Sequence, residues 1–371
     1  MSQLENKTIL ILTAQFGAGH ISAANAIKDC ILNEHKNWNV IIKNFIDASI
    51  PIMNKPMVRF YENNTKYTPG LYNYYYYLKK SFNPTKDVAN KLYTPKFIDY
   101  ILKINPDLII CTFPSAAACV YNFKLKYPNI KIPSITVITD VVDSMEWVYP
   151  YTDMYFVPSS EIKNRFVLKG IPLESIKVTG VPINSKFSCD EKNNSSQKHR
   201  LLLLGGGRGL FDFNEDFIYW LDDFIENCKD KLEVTIVTGK NDKLYNNLTT
   251  KKCVKNINVL GYVNDMNNLV KNYDLMVTKP GGATLFEAIH SLTPVIVKLP
   301  KIGQEIENSK FITDKGIGII YNDENDLKYI IKNLGNGNLE SLIEFMKLNI
   351  LEFKKSIHMD KISTYISEII K

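Results

Sequence analysis

Short apolar segments alternate with helical stretches along the whole chain. Ten of these segments have the length and the β-branched content of buried strands. They are residues 8–12, 39–45, 108–112, 134–138 and 154–157 in the first half, and residues 200–204, 233–238, 258–260, 275–277 and 295–299 in the second. Buried strands that alternate with helices predict parallel sheets covered by helices on both faces.

A polar segment without apolar periodicity, residues 185–199, separates the two halves and is predicted to be a linker. A chain of 371 residues is also too long for one typical core. We therefore predict an α/β protein with two doubly wound, Rossmann-like domains, residues 1–184 and 200–350. The two domains are expected to face a central cleft at the carboxyl ends of their strands, where such folds bind ligands.

The most informative motif is Thr278-Lys-Pro-Gly-Gly-Ala-Thr-Leu-Phe-Glu287, which leads from a strand into a helix. Gly281 and Gly282 let the backbone approach a diphosphate, whose charge the N-terminus of the helix favours. Glu287 can accept hydrogen bonds from ribose hydroxyls. Three polar residues after the next strand can reach sugar hydroxyls: Gln304, Glu305 and Asn308. A lone Gly-Gly pair is more typical of an ordinary turn with a surface acid, but the whole array favours a nucleotide-diphosphate sugar.

A second glycine-rich loop, Phe16-Gly-Ala-Gly-His20, precedes a helix predicted to begin near Ser22. Gly17 and Gly19 permit a tight turn, although G-x-G turns are common in α/β folds. His20 has the ordinary pKa of a base that takes a proton from an attacking hydroxyl. The alternative is that His20 caps the helix or positions the acceptor.

Asp140 lies two residues after the strand 134–138, at the same predicted edge of the sheet. It is a candidate base, or a carboxylate that holds the tautomer of His20. The alternative is a turn or helix-capping aspartate.

A third glycine-rich loop follows the strand 200–204 and contains Gly205, Gly206 and Arg208. Its backbone N–H groups are predicted to lie beside the diphosphate, with Arg208 as a nearby cation. Lys279 is a second candidate cation. For both side chains, a solvent-exposed charge is the alternative interpretation.

Basic residues are concentrated in one segment of the chain. Residues 51–96 hold eight basic residues and two acidic ones, so this segment accounts for the net charge of +6. It also contains the run Tyr72-Asn-Tyr-Tyr-Tyr-Tyr77. Basic residues interleaved with aromatic rings suit a membrane–water interface. The candidate membrane contacts are Lys79, Lys80, Lys86, Tyr75 and Tyr76. The alternatives are a solvated helical face with a tyrosine-rich core side, or a nucleic-acid patch.

The bulk composition indicates an ordinary soluble globular protein, with 45% hydrophobic and 23% charged residues. No apolar run reaches the about 18 residues of a membrane-spanning helix. The N-terminus is polar, so no signal peptide is predicted. Six scattered cysteines without a Cys-x-x-Cys pair are typical of a reduced cytoplasmic protein. No metal site and no resident cofactor are predicted.

These motifs together resemble the lipid-linked glycosyltransferases of family 28, which include monogalactosyldiacylglycerol synthases and processive diacylglycerol glucosyltransferases. The similar segments are Ile9-Leu-Ile-Leu-Thr-Ala-Gln-Phe-Gly-Ala-Gly-His20, Ile135-Thr-Val-Ile-Thr-Asp140 with Trp147, Val178-Thr-Gly-Val-Pro-Ile183, and the array from Thr278 to Asn308. The resemblance implies a GT-B fold in which residues 351–371 form a helix that packs back on the first domain. It also implies acceptor-loop roles for Gly17, Gly19 and Trp147, and donor contacts by Thr284 and by the backbone of Gly261 and Val263.

The activity implied by the resemblance is inverting transfer of a hexose from UDP-glucose or UDP-galactose to diacylglycerol or glycosyldiacylglycerol. The enzyme would bind peripherally to the anionic, cytoplasmic face of a membrane and would not bind nucleic acid. The family usually has histidines where this chain has Ser144 and Tyr149, so their contribution does not carry over.

Three alternatives remain open. They are N-acetylglucosamine transfer to a polyprenyl-diphosphate cell-wall precursor, a nucleotide-sugar epimerase, and a regulator that binds nucleotide sugars without turnover. The first is disfavoured because the opening loop lacks the adjacent glycine pairs of that family. The sequence also leaves open the choice between glucose and galactose, the number of sugars added and the oligomeric state.

Overall fold

A computed structural model describes residues 6–59, 68, 70, 73–74, 76–77, 94–189, 198–205, 214–250 and 254–370. The chain divides into two compact units. Unit 1 comprises Met1–Asn184, Lys301–Glu307 and Ser356–Lys371, and unit 2 comprises Ser185–Pro300 and Asn308–Lys355. Each unit contains one six-stranded sheet, and every strand pair described in both sheets is parallel.

The sheet of unit 1 has the order β2-β1-β3-β4-β5-β6. Its strands are β1 (Thr8–Thr13), β2 (Asn39–Asn44), β3 (Leu108–Cys111), β4 (Ser134–Val137), β5 (Met154–Val157) and β6 (Ile176–Val178). The sheet of unit 2 has the order β12-β11-β10-β7-β8-β9. Its strands are β7 (His199–Leu204), β8 (Leu232–Val237), β9 (Ile257–Leu260), β10 (Leu275–Thr278), β11 (Val295–Lys298) and β12 (Gly318–Tyr321).

The α-helices that the structure delimits are numbered here in chain order. They are α1 (Gly19–Glu34), α2 (Phe45–Ser49), α3 (Thr94–Ile104), α4 (Pro114–Lys126), α5 (Ser160–Leu168), α6 (Glu215–Cys228), α7 (Asp242–Thr250), α8 (Met266–Lys271), α9 (Gly282–His290), α10 (Gly303–Asp314), α11 (Glu324–Gly335), α12 (Glu340–Lys355) and α13 (Ile362–Ile369).

The central strand β1 shows how alternating side chains build two core layers in unit 1. Its side chains point to opposite faces of the sheet in turn. Leu10 and Leu12 pack in one apolar cluster with residues of α2, α3 and α4. Ile9 and Ile11 pack in the other cluster with residues of α1 and with Ile362 of α13. The C-terminal helix is therefore part of the core of unit 1.

In unit 2, the strand β7 likewise directs alternate side chains to one face of its sheet. Leu201 and Leu203 pack on one face of the sheet with Phe217 and Leu221 of α6. The start of α6 is capped, because the side chain of Asn214 accepts a hydrogen bond from the Phe217 N–H at 2.8 Å. This cap satisfies one of the free N–H groups at the helix start.

The predicted parallel α/β fold is confirmed, and all ten predicted strands are present. The sequence missed the strands β6 and β12, which form an edge of each sheet. The first has only three residues and the second begins at Gly318, so neither shows a long apolar run. The start of α1 was also misplaced, since the helix begins at Gly19 rather than near Ser22.

The boundary of unit 2 differs from the predicted linker. Ser185–Phe187 forms a 3-10 helix whose Phe187 is buried. The Ser291 hydroxyl donates to the Phe187 carbonyl at 3.2 Å, and the Cys189 N–H donates to the His290 carbonyl at 3.0 Å. These contacts attach the start of the predicted linker to unit 2, while residues 190–197 lie outside the described part of the chain.

Candidate active site

Both sheets have the type of strand order that creates a ligand crevice. In unit 1 the order reverses between β1 and β3, and in unit 2 it reverses between β7 and β10. Loops that leave two such neighbouring strands turn to opposite faces, so a crevice forms at the carboxyl edge. The loop after β1 leads into α1, whose first turn carries His20, and Gly281 follows β10. The predicted site residues therefore stand at the two edges where ligands bind in this class of fold.

The imidazole of His20 is fixed across the crevice of unit 1. Its Nδ1 lies 2.9 Å from the Thr112 carbonyl oxygen and 2.8 Å from Thr139 Oγ1. A carbonyl can only accept, so Nδ1 carries a proton and donates it. In the neutral ring Nε2 then keeps its lone pair. The Thr112 hydroxyl also donates to the His20 carbonyl at 3.1 Å, which ties the first turn of α1 to the end of β3.

Aromatic rings surround His20. Phe113 meets the imidazole edge-on with ring centroids 5.0 Å apart, and the centroid of Trp147 lies 6.3 Å away. Burial lowers the pKa of His20 to about 4, against the opposing effect of the hydrogen bond to the Thr112 carbonyl. The ring is therefore neutral at physiological pH, which is the form that accepts a proton.

The sequence offered Asp140 as the residue that orients His20. In the structure, two other residues contact the imidazole Nδ1. Within the described residues, Thr112 and Thr139 are the hydrogen-bond partners of His20 Nδ1. Asp140 follows Thr139 directly and is half-buried at the same edge. Its candidate role as a second acid or base stays a prediction. The sequence missed both threonines, although Thr112 directly follows β3 and Thr139 is the second residue after β4.

The acceptor-loop candidates take different positions. Gly17 has φ +95°, a conformation that favours glycine, and a Cβ placed there would meet no described atom within 4 Å. Trp147 is buried beside His20. Ser144 is fully buried and its hydroxyl accepts from the Glu146 N–H, while Tyr149 packs in the core of unit 1. Ser144 and Tyr149, which stand where the family usually has histidines, therefore contribute to the packing of unit 1.

In unit 2, the Lys-Pro-Gly-Gly turn exposes the start of α9. The Gly281 N–H donates to the Lys279 carbonyl at 2.8 Å, which closes a tight turn. Gly281 is the N-cap, and a Cβ placed there would meet no described atom within 4 Å. Lys279 is exposed, and Thr284 lies half-buried in the first turn of α9. A helix start with this open approach suits an anion.

Glu287 lies in the second turn of α9 and is half-buried. Burial raises the pKa of its carboxyl from the ordinary value of 4.5 to about 7. A raised pKa in a carboxyl that stands near an open ligand crevice is typical of functional groups. Its charge changes near neutral pH.

The structure corrects the role predicted for Asn308. The sequence placed this side chain against a sugar, but it is fully buried and its amide donates to the Pro280 carbonyl at 2.9 Å. Asn308 therefore holds the Lys-Pro-Gly-Gly turn in place. Gln304 and Glu305 are half-buried in the first turn of α10, and they belong to the part of that helix grouped with unit 1.

The remaining donor candidates also follow strands of unit 2. Gly205 is buried directly after β7, and Gly261 and Val263 are half-buried after β9. A Cβ at Gly261 would be 3.7 Å from the ring of Tyr245, which is ordinary contact. Gly206 and Arg208 lie outside the described residues, so their roles stay predictions.

The predicted membrane contacts are described only in part. Lys79, Lys80, Lys86 and Tyr75 lie outside the described residues. Tyr76 does not fit its predicted role, because its side chain is 6% exposed. Its neighbours Tyr74 and Tyr77 are 66% and 43% exposed. Successive side chains of a helix point in different directions. The buried ring of Tyr76 therefore does not share the exposed side of Tyr74 and Tyr77, which a membrane surface would contact.

No described helix is long and apolar enough to span a membrane. Among the described residues, no group of three or more His, Cys, Asp or Glu side chains is placed to hold a metal ion.

Comparison with known proteins gives two family matches. The family described as monogalactosyldiacylglycerol (MGDG) synthase matches residues 20–183, and the glycosyltransferase family 28 C-terminal domain matches residues 200–360. A processive diacylglycerol beta-glucosyltransferase of Staphylococcus epidermidis is 32% identical over 99% of this chain and 94% of its own length. Its Staphylococcus aureus counterpart (strain MRSA252) is 31% identical over 94% of this chain and 90% of its own length.

Among solved structures, Acinetobacter baumannii MurG is similar in fold. Its TM-score is 0.63 at 14% identity, with 98% of this chain and 99% of that chain covered. The Staphylococcus aureus MnaA–UDP structure has a TM-score of 0.59 at 17% identity, with 99% and 96% covered.

The two parallel doubly wound sheets, with candidate residues at their carboxyl edges, define a glycosyltransferase of the GT-B fold. The chain belongs to the family 28 glycolipid glycosyltransferases, the family of the monogalactosyldiacylglycerol synthases and the processive diacylglycerol beta-glucosyltransferases.

Proposed function

We propose that this enzyme transfers a hexose from a UDP-sugar to diacylglycerol, or to glycosyldiacylglycerol, with inversion at the anomeric carbon. The observation that carries the mechanism is the fixed tautomer of His20, whose Nδ1 donates to the Thr112 carbonyl at 2.9 Å. It leaves Nε2 as a base in a site where the ring is neutral. The family membership supplies the reaction class.

In the proposed step, Nε2 of His20 takes the proton of the acceptor hydroxyl as its oxygen attacks the anomeric carbon. The new glycosidic bond forms on the face opposite to the departing UDP, and the electron pair of the broken bond leaves with the diphosphate. A positioned base contributes about 10²–10⁴-fold to such a proton transfer. Because the pKa of His20 is about 4, the base form persists well below neutral pH.

The charge that grows on the departing UDP is stabilised by the N-terminus of α9 and by Lys279. The open approach at Gly281 supports this assignment, since backbone N–H groups at a helix start favour anions. Glu287 holds the ribose through its ionised carboxylate. We propose that these groups act without a divalent metal ion, so transfer should persist at full rate in EDTA.

The names of the staphylococcal relatives favour glucose as the transferred sugar and successive additions as the outcome. The monogalactosyldiacylglycerol synthase match keeps galactose as the second candidate. Both names support diacylglycerol as the acceptor. Gln304 and Glu305 at the start of α10 are the proposed contacts to the hexose of the donor.

We propose that the enzyme reaches its lipid by docking peripherally on an anionic, cytoplasmic membrane face. The described part of the basic segment supports this, since Ile52, Lys55, Arg59 and Tyr74 are exposed. Basic residues near an anionic surface contribute about 1 kcal/mol each. Lys79, Lys80 and Lys86 are proposed to act in the same way.

The test is UDP release from UDP-glucose, UDP-galactose and UDP-N-acetylglucosamine, each with and without diacylglycerol in anionic vesicles. Release that needs lipid and occurs with one donor would support the proposal and identify the sugar. Release that needs no lipid, or that occurs with UDP-N-acetylglucosamine alone, would contradict the proposed donor and acceptor. Heat-inactivated enzyme controls for spontaneous hydrolysis.

A further inference from the structure

Asn73 and Tyr76, which lie near each other in unit 1, each carry a buried polar atom without a described hydrogen-bond partner. The hydroxyl of Tyr76 and the side-chain carbonyl of Asn73 are buried, and neither has a hydrogen-bond partner within the described part of the chain. A buried polar group without a partner costs about 1–3 kcal/mol. Such groups are rare in native proteins, and each calls for an explanation such as a ligand.

Tyr76 lies against the first residue of α10, and Asn73 contacts the chain two residues before it. The Asn73 side-chain N–H₂ donates to the Lys301 carbonyl at 2.5 Å. The ring of Tyr76 lies so close to Gly303 that a Cβ there would be 2.1 Å from Tyr76 Cδ1. Glycine at position 303 thus makes room for the tyrosine. The first turn of α10 also carries Gln304, a proposed sugar contact, and all of these residues belong to unit 1.

The charges around Tyr76 limit the ligand. Burial, and after it the carboxylates of Glu146, Glu307 and Asp140, raise the pKa of Tyr76 above its ordinary range. The phenol therefore stays protonated and available as a donor. A phenol O–H donates to a hydroxyl oxygen and carboxylates accept from hydroxyl groups, so these surroundings suit a ligand rich in hydroxyls.

We propose that Tyr76 and Asn73 form a hexose-binding subsite. The Tyr76 O–H donates to one sugar hydroxyl, and the Asn73 side-chain carbonyl accepts from another. The inference rests on the proposed function, because it takes the ligand to be a hexose. That hexose belongs either to the UDP-sugar or to a glycosyldiacylglycerol acceptor, and the shared chemistry is a pair of sugar hydroxyls.

The first test is Tyr76→Phe, which removes the hydroxyl and keeps the ring on Gly303. Tyr77→Phe is the matched control, because the Tyr77 hydroxyl is on the adjacent, 43% exposed ring. Affinity is measured by calorimetry for UDP, for UDP-glucose and for octyl β-glucoside as a soluble acceptor probe. Tyr76→Phe is expected to weaken one of the two hexose probes about five- to tenfold, the usual effect of one lost hydrogen bond. UDP affinity should be unchanged.

The probe that weakens identifies the source of the hexose. A loss with UDP-glucose assigns the subsite to the donor sugar, and a loss with octyl β-glucoside assigns it to the acceptor sugar. Unchanged affinity for both probes would overturn the inference. This binding test does not depend on lipid transfer, so failure of the proposed acceptor and failure of the subsite give different results.

Thermal unfolding separates a ligand-binding role from a structural one. Since the Tyr76 hydroxyl has no described partner, Tyr76→Phe should keep or raise the Tm of the unliganded enzyme. A lowered Tm would show that the hydroxyl stabilises the fold, which would contradict the subsite. Gly303→Ala supplies a second variant, because its Cβ displaces the tyrosine ring. It should weaken the same hexose probe as Tyr76→Phe.

Discussion

The raised pKa of Glu287 predicts that affinity for the UDP-sugar depends on pH. The ionised carboxylate forms charge-assisted hydrogen bonds with the ribose hydroxyls that are about twice as strong as those of the protonated carboxyl, so it is the form that binds the donor. With a pKa of about 7, about one carboxyl in ten is ionised at pH 6 and about nine in ten at pH 8. Affinity for UDP-glucose should therefore rise about tenfold between these two values, which corresponds to about 1.4 kcal/mol.

The same carboxyl predicts the opposite trend for stability. Its pKa in the folded protein is above the ordinary value of 4.5. Folding is therefore favoured while the group is protonated, and this contribution is lost as the pH rises through about 7. Between pH 6 and pH 8 the unliganded wild type should lose thermal stability relative to Glu287→Gln, whose side chain does not titrate.

The assay is calorimetric titration with UDP-glucose at constant ionic strength. UDP itself is less suitable, because a terminal phosphate has its own pKa near 6. Glu287→Gln should bind with an affinity that is nearly constant from pH 6 to pH 8. Glu352→Gln, an exposed carboxyl on α12, is the control and should keep the wild-type slope. Equal wild-type affinities at both pH values, or the same slope in Glu287→Gln, would contradict ribose binding by the ionised carboxylate of Glu287.

Three further changes have expected outcomes. His20→Ala should lower kcat by about 10²-fold or more, since it removes the positioned base, and should leave UDP binding within about twofold; a normal kcat would contradict the base assignment. Replacing Lys79, Lys80 and Lys86 by Gln should weaken binding to anionic vesicles about 100-fold at low salt, from about 1 kcal/mol for each charge; unchanged vesicle binding would place the docking surface elsewhere. Phe217→Ala should lower the free energy of unfolding by about 3–5 kcal/mol, because the ring is fully buried in the core of unit 2; a loss below about 1 kcal/mol in chemical denaturation would contradict that burial.

The sequence predicted the parts of the fold that have dense local signals. The β1 segment is apolar on both faces, and this is the pattern of a central parallel strand. The strands β6 and β12 escaped prediction because β6 has only three residues and β12 begins at a glycine. Their assignment depends on pairing with a neighbour, as with Gly318 opposite Val295, and such pairing leaves no local pattern.

The candidate site was predictable where chemistry and spacing coincide, as in the glycine turn before α9. Its supporting contacts were not. Thr112 and Thr139 are ordinary residues in the sequence, and their hydrogen bonds to His20 span 92 and 119 residues. Asn308 is polar and lies near the donor motif, so the sequence assigned it to the sugar. Only the packed structure shows that it is buried against Pro280.

The most direct test of the account is the configuration of the glycolipid product. Wild-type enzyme is incubated with UDP-glucose, whose glucose is α-linked, and with diacylglycerol in anionic vesicles, and the extracted lipid is analysed by mass spectrometry and NMR. The product should be β-linked glucosyldiacylglycerol, formed at least about 100-fold more slowly by His20→Ala. An α-linked product, or equal rates for the two proteins, would contradict direct displacement with His20 as the base.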